Sequence, residues 1–233
     1  MPLSEIIRRL KNGIRRRRLE RRGVRVELRG ATEALGEGGG RWVICPDGLG
    51  PDSVFYSFGV GTDITFDLAL LRRFGAPVHA FDPTPVSVEW VRAQRLPEAF
   101  RFHDVGLADF DGTLPFHAPR RAGSAHFSPV ARRRGADAAP PFRAPVLRLR
   151  SVMSRFGHDR VDLMKMDIEG GEYAVIEDLV RERAPVRQLL VEFHHNYSTI
   201  PLRRTVDAVR RLREAGYRLF HISERTYEMS FRL

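Results

Sequence analysis

From residue 41 to residue 232, short apolar runs alternate with segments of helical periodicity. No other feature restricts the possible folds as much. Strands are predicted at 41–45, 54–58, 78–81, 100–105, 161–166 and 188–193, and helices at 63–74, 85–95, 172–183 and 202–215. Gly216 stops the last helix, and two closing strands, 217–223 and 227–232, meet across Glu224-Arg225-Thr226. Such an order builds a doubly wound α/β sheet, mostly parallel and covered on both faces, with an antiparallel edge from the closing pair. Ligands in these sheets bind beyond the carboxyl ends of the strands, so functional residues are expected there.

The chain before residue 41 has a different character. Residues 1–30 hold ten arginines and Lys11 against Glu5, Glu20 and Glu27, a net charge of +8 out of +10 for all 233 residues. The basicity therefore belongs to this segment and not to the body. Leu3, Ile6, Ile7, Leu10 and Ile14 recur at helical spacing among the arginines. Three fates are open to such a helix: its stripe packs on the body, it lies on an anionic membrane surface, or it grips the phosphates of a nucleic acid. The last is disfavoured, because no aromatic residue precedes Trp42 to stack on bases. The glycine-rich stretch from Gly36 to Gly40 is expected to act as a hinge. It divides a basic segment, 1–40, from a domain over 41–233. Residues 110–145 are expected to form an insertion, with a hairpin-like turn at Asp111-Gly112. Cys45 is the only cysteine, so no internal disulfide and no cysteine-rich zinc cluster can form. With no apolar leader and no long apolar span, a cytoplasmic protein is expected, at most peripheral to the membrane.

The strand ends carry the chemistry. Tyr56-Ser57-Phe58-Gly59-Val60-Gly61-Thr62-Asp63 runs from a strand into a helix, with Asp82 ending the next strand. The glycines permit a sharp turn and close ligand approach, while an acid at Asp82 can accept both hydroxyls of a ribose. Asp63 stands near the third glycine position of a dinucleotide fingerprint, where a carboxylate would repel a pyrophosphate. That argues against NAD and for S-adenosylmethionine, which has no phosphate. Asp63 either faces the cationic end of this ligand or caps the helix. Further on, Val161 to Met166 delivers Asp167, followed by Glu169 and Glu172 in a glycine-containing turn. Leu189 to Phe193 carries Glu192 and delivers His194 and His195. If the two strands are neighbours, Asp167, Glu192 and His194 converge, either as a general base with its supports or as ligands of a divalent ion such as Mg²⁺ or Mn²⁺. The metal-free base is favoured, with His194 taking the proton. Lys165 is read as a structural lysine.

The block KMDIEGGEYAVI with the later VEFHH resembles the FkbM-type methyltransferase family, and YSFGVGTDITFDLAL and HAFDPTP resemble related methyltransferase-like proteins. The similarity spans about residues 41–220. It implies a class I, Rossmann-like methyltransferase sheet of order 3-2-1-4-5-7-6 with its last strand antiparallel, S-adenosylmethionine as donor, and O-methylation of a small-molecule or glycan hydroxyl. On that reading Gly59, Gly61 and Asp63 lie under the methionine moiety, Asp82 holds the ribose, and the turn from Asp104 to Leu107 borders the adenine. Asp167, Glu192 and His194 then lie on the acceptor side. A non-catalytic binding module, docked on membrane or nucleic acid through its basic segment, is the alternative.

Overall fold

The computed structural model describes residues 3–119, 125–130 and 141–233. Helix α1 (Leu3–Glu20) comes first, followed by the antiparallel hairpin β1 (Glu33–Leu35) and β2 (Trp42–Ile44). Then come β3 (Phe55–Phe58), α2 (Thr65–Phe74), β4 (Val78–Phe81), α3 (Pro85–Arg92) and β5 (Phe100–His103). The stretch β6 (Gly106–Leu107), β7 (Gly112–Phe116) and β8 (Phe142–Leu147) precedes α4 (Leu149–Phe156). The chain continues through β9 (Val161–Met166), α5 (Glu172–Arg181), β10 (Val186–Glu192), α6 (Leu202–Glu214), β11 (Arg218–Ile222) and β12 (Glu228–Arg232).

Seven strands form the central sheet in the order β5-β4-β3-β9-β10-β12-β11. In chain order of these strands that is 3-2-1-4-5-7-6, with β12 antiparallel to both of its neighbours. The order reverses between β3 and β9, which pair in parallel from Phe55↔Leu163 to Phe58↔Met166. Side chains alternate across the sheet as the two-residue period requires. Tyr56, Phe58, Met164, Met166, Leu189 and Val191 pack against α4, α5 and α6 on one face. Phe55, Leu163 and Leu190 pack with Trp42, Phe66 and Leu70 on the other. These central strands are buried on both faces, and each large apolar side chain so buried contributes about 1.5–3 kcal/mol.

The glycine-rich stretch is not a hinge between two bodies. Gly38–Gly40 is a 3₁₀ turn inside the β1–β2 hairpin, and Leu35 shares a core cluster with Trp42 and Phe66. Gly36 has φ +85°, and a Cβ there would overlap the Gly40 carbonyl. The boundary placed at residue 40 thus falls within one hairpin, because paired strands on both sides override the flexibility that glycine suggests. The Asp111-Gly112 turn is likewise not a hairpin between neighbours, since β8 lies between β6 and β7 in a separate three-stranded sheet. Asp111 instead accepts from the Arg148 backbone N–H at 2.7 Å and the Ser151 hydroxyl at 2.6 Å, capping α4. Residues 120–124 and 131–140 of the expected insertion lie outside the described residues. Among those described, no helix is long and apolar enough to cross a membrane.

Candidate active site

A cavity of about 750 Å³ opens at the carboxyl ends of β3, β4, β9 and β10, at the switch point of the sheet. Its floor is the turn after β3. Gly59 has φ +78°, and any Cβ there would overlap the Asp167 carbonyl oxygen, so the two strand ends meet at a position only glycine fits. The Gly59 N–H donates to the Phe81 carbonyl at 2.8 Å, and the Gly59 carbonyl accepts from Lys165 Nζ at 2.6 Å. Lys165 is buried, with its ammonium 5.7 Å from the centre of the Trp42 ring. It lowers the pKa of both Asp67 and Asp167, against a larger upward push from their burial.

Asp82 is buried in the cavity wall. Its Oδ2 accepts from the Gly61 N–H at 2.9 Å, and its Oδ1 accepts from the Thr84 N–H at 2.9 Å and the Thr84 hydroxyl at 2.6 Å. A carboxylate offers about four lone-pair sites, so in this arrangement Asp82 can take one further hydroxyl where two were expected. Asp63 both lines the cavity and opens α2, accepting from the Thr65 N–H at 3.0 Å and the Thr65 hydroxyl at 2.7 Å. Leu107 lines the cavity together with Phe116 and Phe127. Asp104 does not. It pairs with Arg92 at 3.1 Å with both side chains exposed, because the chain turns back into β6 only after it.

Strands β9 and β10 are neighbours in register, so Asp167 and Glu192 reach the same wall. Their electrostatics differ from those of His194. Glu192 is pushed up to about 8, first by burial and then by the Asp167 charge. Asp167 keeps about a quarter of its side chain open (26%) and is also raised, chiefly by desolvation. His194 is sealed behind the wall, with 5% of its side chain exposed. Its Nδ1 donates to Glu172 Oε1 at 2.7 Å, while Nε2 faces Glu169 Oε2 at 3.5 Å and Asp167 Oδ1 at 3.6 Å. Burial alone would depress its pKa, but the charge and hydrogen bond of Glu172, with Asp167 and Glu169, hold it near 10. Both ring nitrogens face carboxylates, which favours the charged imidazole, and His194 does not line the cavity, so the structure does not give it the geometry of a general base.

Of the three residues expected to converge, Asp167 and His194 do stand together, while Glu172 takes the place of Glu192. The carboxylate–imidazole group with ligand atoms within 4.8 Å of one another is Asp167, Glu172 and His194. Glu192 sits outside it. Glu172 Oε1 also accepts from the Ile168 and Gly170 N–H groups, which locks the turn after β9 to the histidine. His195 points away, as its alternation predicts, toward Thr205 and the Tyr227 ring. Cavity residues that sequence reasoning passed over include Trp42, Asp67, Phe116, Phe127 and Arg225, together with Lys165 as a wall residue. For Lys165 a signal existed: it is the only lysine after residue 11 in a chain that otherwise uses arginine.

The fold and cleft place this chain among the doubly wound α/β proteins that bind ligands at the switch point of the sheet. Residues 53–219 match the model of the methyltransferase FkbM domain, and the chain belongs to that family. It is similar to the probable methyltransferase-like protein 24 of Rattus norvegicus, 26% identical over 198 residues that cover 77% of this chain and 48% of that protein. The human protein of the same name is 26% identical over 176 residues, covering 71% and 41%. The chain thus spans less than half the length of either relative. The crystal structure of a methyltransferase FkbM from Methylobacillus flagellatus aligns with a TM-score of 0.45 at 14% identity, over 78% of this chain and 44% of that one. The family match and the two methyltransferase-like relatives support a methyltransferase and lend nothing to a non-catalytic module.

Proposed function

We propose that this methyltransferase uses S-adenosylmethionine to methylate a hydroxyl oxygen of a sugar, glycan or secondary metabolite. The observation that carries the reading is the place of Glu192, a carboxyl on the wall of the cavity floored by Gly59 and Gly61, whose pKa its burial and the neighbouring Asp167 raise to about 8. A base for an alcohol is most effective with a pKa near the working pH, and burial tunes glutamates into that range.

The donor chemistry suits the residues present. Asp82 can accept a ribose hydroxyl, while Leu107, Phe81 and Phe116 offer apolar surface to a base. Asp63, Asp67 and Asp167 make the remaining wall acidic, which suits a cationic ligand better than a phosphate. When bound, the donor supplies an electrophilic methyl group. The chain then has to position the acceptor and take its proton. Glu192 takes that proton, Arg225 at 3.9 Å limits the rise of its pKa, and His194 offsets the charge of Asp167. No step requires a metal.

Calorimetry with S-adenosylmethionine, its demethylated product and NAD tests the donor. Binding of the first two and not the third is expected, and silence toward both sulfur ligands would overturn the reading. For the acceptor, methyl groups transferred from labelled donor should survive mild alkali, as ethers do. Release as methanol would mean ester formation on a carboxyl instead.

A further inference from the structure

Helix α1 is turned the opposite way from what its sequence suggests. An amphipathic helix beside a globular body ordinarily buries its apolar stripe. Here the buried positions are Asn12 and Leu19, with Arg15 between them placing its guanidinium 5.0 Å from the Tyr227 ring centre. The stripe faces out: Ile6 is 39%, Ile7 43%, Leu10 62% and Ile14 51% exposed. At 100° per residue those four side chains fall within an arc of roughly 100°, and Asn12, Arg15 and Leu19 lie nearly opposite. Val26 and Leu28, beyond the helix, are exposed as well, so six of the eight large exposed hydrophobics among the described residues lie in the first thirty. Surface apolar residues gathered this way mark an interaction face.

The charge around the stripe identifies the partner. Lys11, Arg17 and Arg18 border it, are exposed, and make no ion pair among the described residues, whereas Arg9 and Arg16 are matched by Glu5 and Glu20. Most of the chain's net charge of +10 sits on this segment. A nucleic acid would satisfy the arginines and leave the isoleucines in water. A lipid bilayer with anionic headgroups satisfies both, burying the stripe at the acyl boundary while the cations meet phosphate and carboxylate. We propose that α1 is a peripheral docking helix for an anionic lipid surface.

The helix is tied to the cavity. Arg15 and Arg225 both lie against Tyr227, and Arg225 pairs with Glu192 in the cavity wall. Helix α1 thus rests through Arg15 on the turn of residues 223–227, whose Arg225 lines the cavity, while its apolar stripe lies on the opposite side of the helix.

The test is sedimentation of the full chain with phosphatidylcholine vesicles containing about a third phosphatidylserine, against pure phosphatidylcholine, across a salt series. Binding to the anionic vesicles is expected, weakening as salt rises. Leu10→Ser with Ile14→Ser should reduce it about tenfold or more, and so should Arg17→Glu with Arg18→Glu. All four positions point to solvent, so thermal unfolding and S-adenosylmethionine calorimetry should match the unaltered protein, which separates this result from any failure of the donor reading. Three outcomes would overturn the proposal: no binding at low salt, binding indifferent to both variants, or a stripe used only for self-association. Light scattering would show the last as a dimer that the serine variant abolishes without any vesicle binding.

Discussion

Glu192→Gln is the most direct test of how the acceptor is activated. With the carboxyl held at about 8, roughly a tenth of Glu192 is ionised at pH 7 and about nine-tenths at pH 9. A base with that value makes turnover rise about tenfold per pH unit below 8 and level off above it. Glutamine cannot take the proton, so turnover should fall about 10² to 10⁴ and the rising limb should vanish while donor binding survives. The causes of the shift can be changed separately. Asp167→Asn removes a like charge and should move the midpoint down, and Arg225→Ala removes a cation 3.9 Å away and should move it up. Carboxyl carbon NMR on glutamate-labelled protein reads the titration without any acceptor, with the Glu192 signal identified by its loss in the glutamine variant. The stability sign follows: the folded pKa lies above the unfolded one, so the contribution of Glu192 is present below about 4.5 and lost as pH rises through 8. The glutamine variant should therefore gain stability relative to the unaltered protein at alkaline pH. A Glu192 midpoint below 6, or a pH limb retained in Glu192→Gln, would refute the reasoning.

His194→Ala strands Asp167, Glu169 and Glu172 without their cation and should cost about 3 kcal/mol or more in urea unfolding. In the unaltered protein this contribution is complete below pH 6.5 and lost as pH climbs through about 10, so unfolding midpoints at pH 6, 8 and 10 should fall in that order. Asp82→Ala should weaken S-adenosylmethionine by about 1–3 kcal/mol in calorimetry. Unchanged affinity in a folded variant would remove Asp82 from the ribose site. Exhaustive chelation should leave turnover intact, and loss with recovery by Mg²⁺ or Mn²⁺ would instead reassign Asp167, Glu172 and His194 as ligands.

Much of the sheet was legible because its strands announce themselves twice, as apolar runs and as acids at their ends. Residues 78–81 and 161–166 were bounded correctly, and the turn from Gly59 to Asp63 and Asp82 fell on the cavity. What escaped depended on contacts between distant segments. The strand Glu33–Leu35 is three residues long and is defined by pairing with β2, which no local pattern reveals. The orientation of α1 escaped for a related reason. Periodicity shows that a helix has two faces, but Tyr227 and the socket for Leu19 decide which face is buried.

The misreading of His194 has the same origin and shows what fixes chemistry at such a site. By type and spacing, a histidine just after a strand carrying a glutamate is as good a base as the glutamate. Their environments reverse the roles. Glu172, from the start of α5, donates no proton of its own; its Oε1 accepts from His194 and from two backbone N–H groups at once, so the imidazole is locked in place. Glu192 has the opposite surroundings: burial and the neighbouring Asp167 charge, which His194 and Arg225 at 3.9 Å offset only in part, leave it reluctant to ionise and open to the cavity. Lys165 completes the balance. As a buried cation bound to the Gly59 carbonyl, it lowers Asp67 and Asp167 against the upward push of their burial while fixing the turn beneath the ligand. A neutral residue there should raise Asp67 and Asp167 together and loosen the floor, linking the charge of the wall to the shape of the cavity.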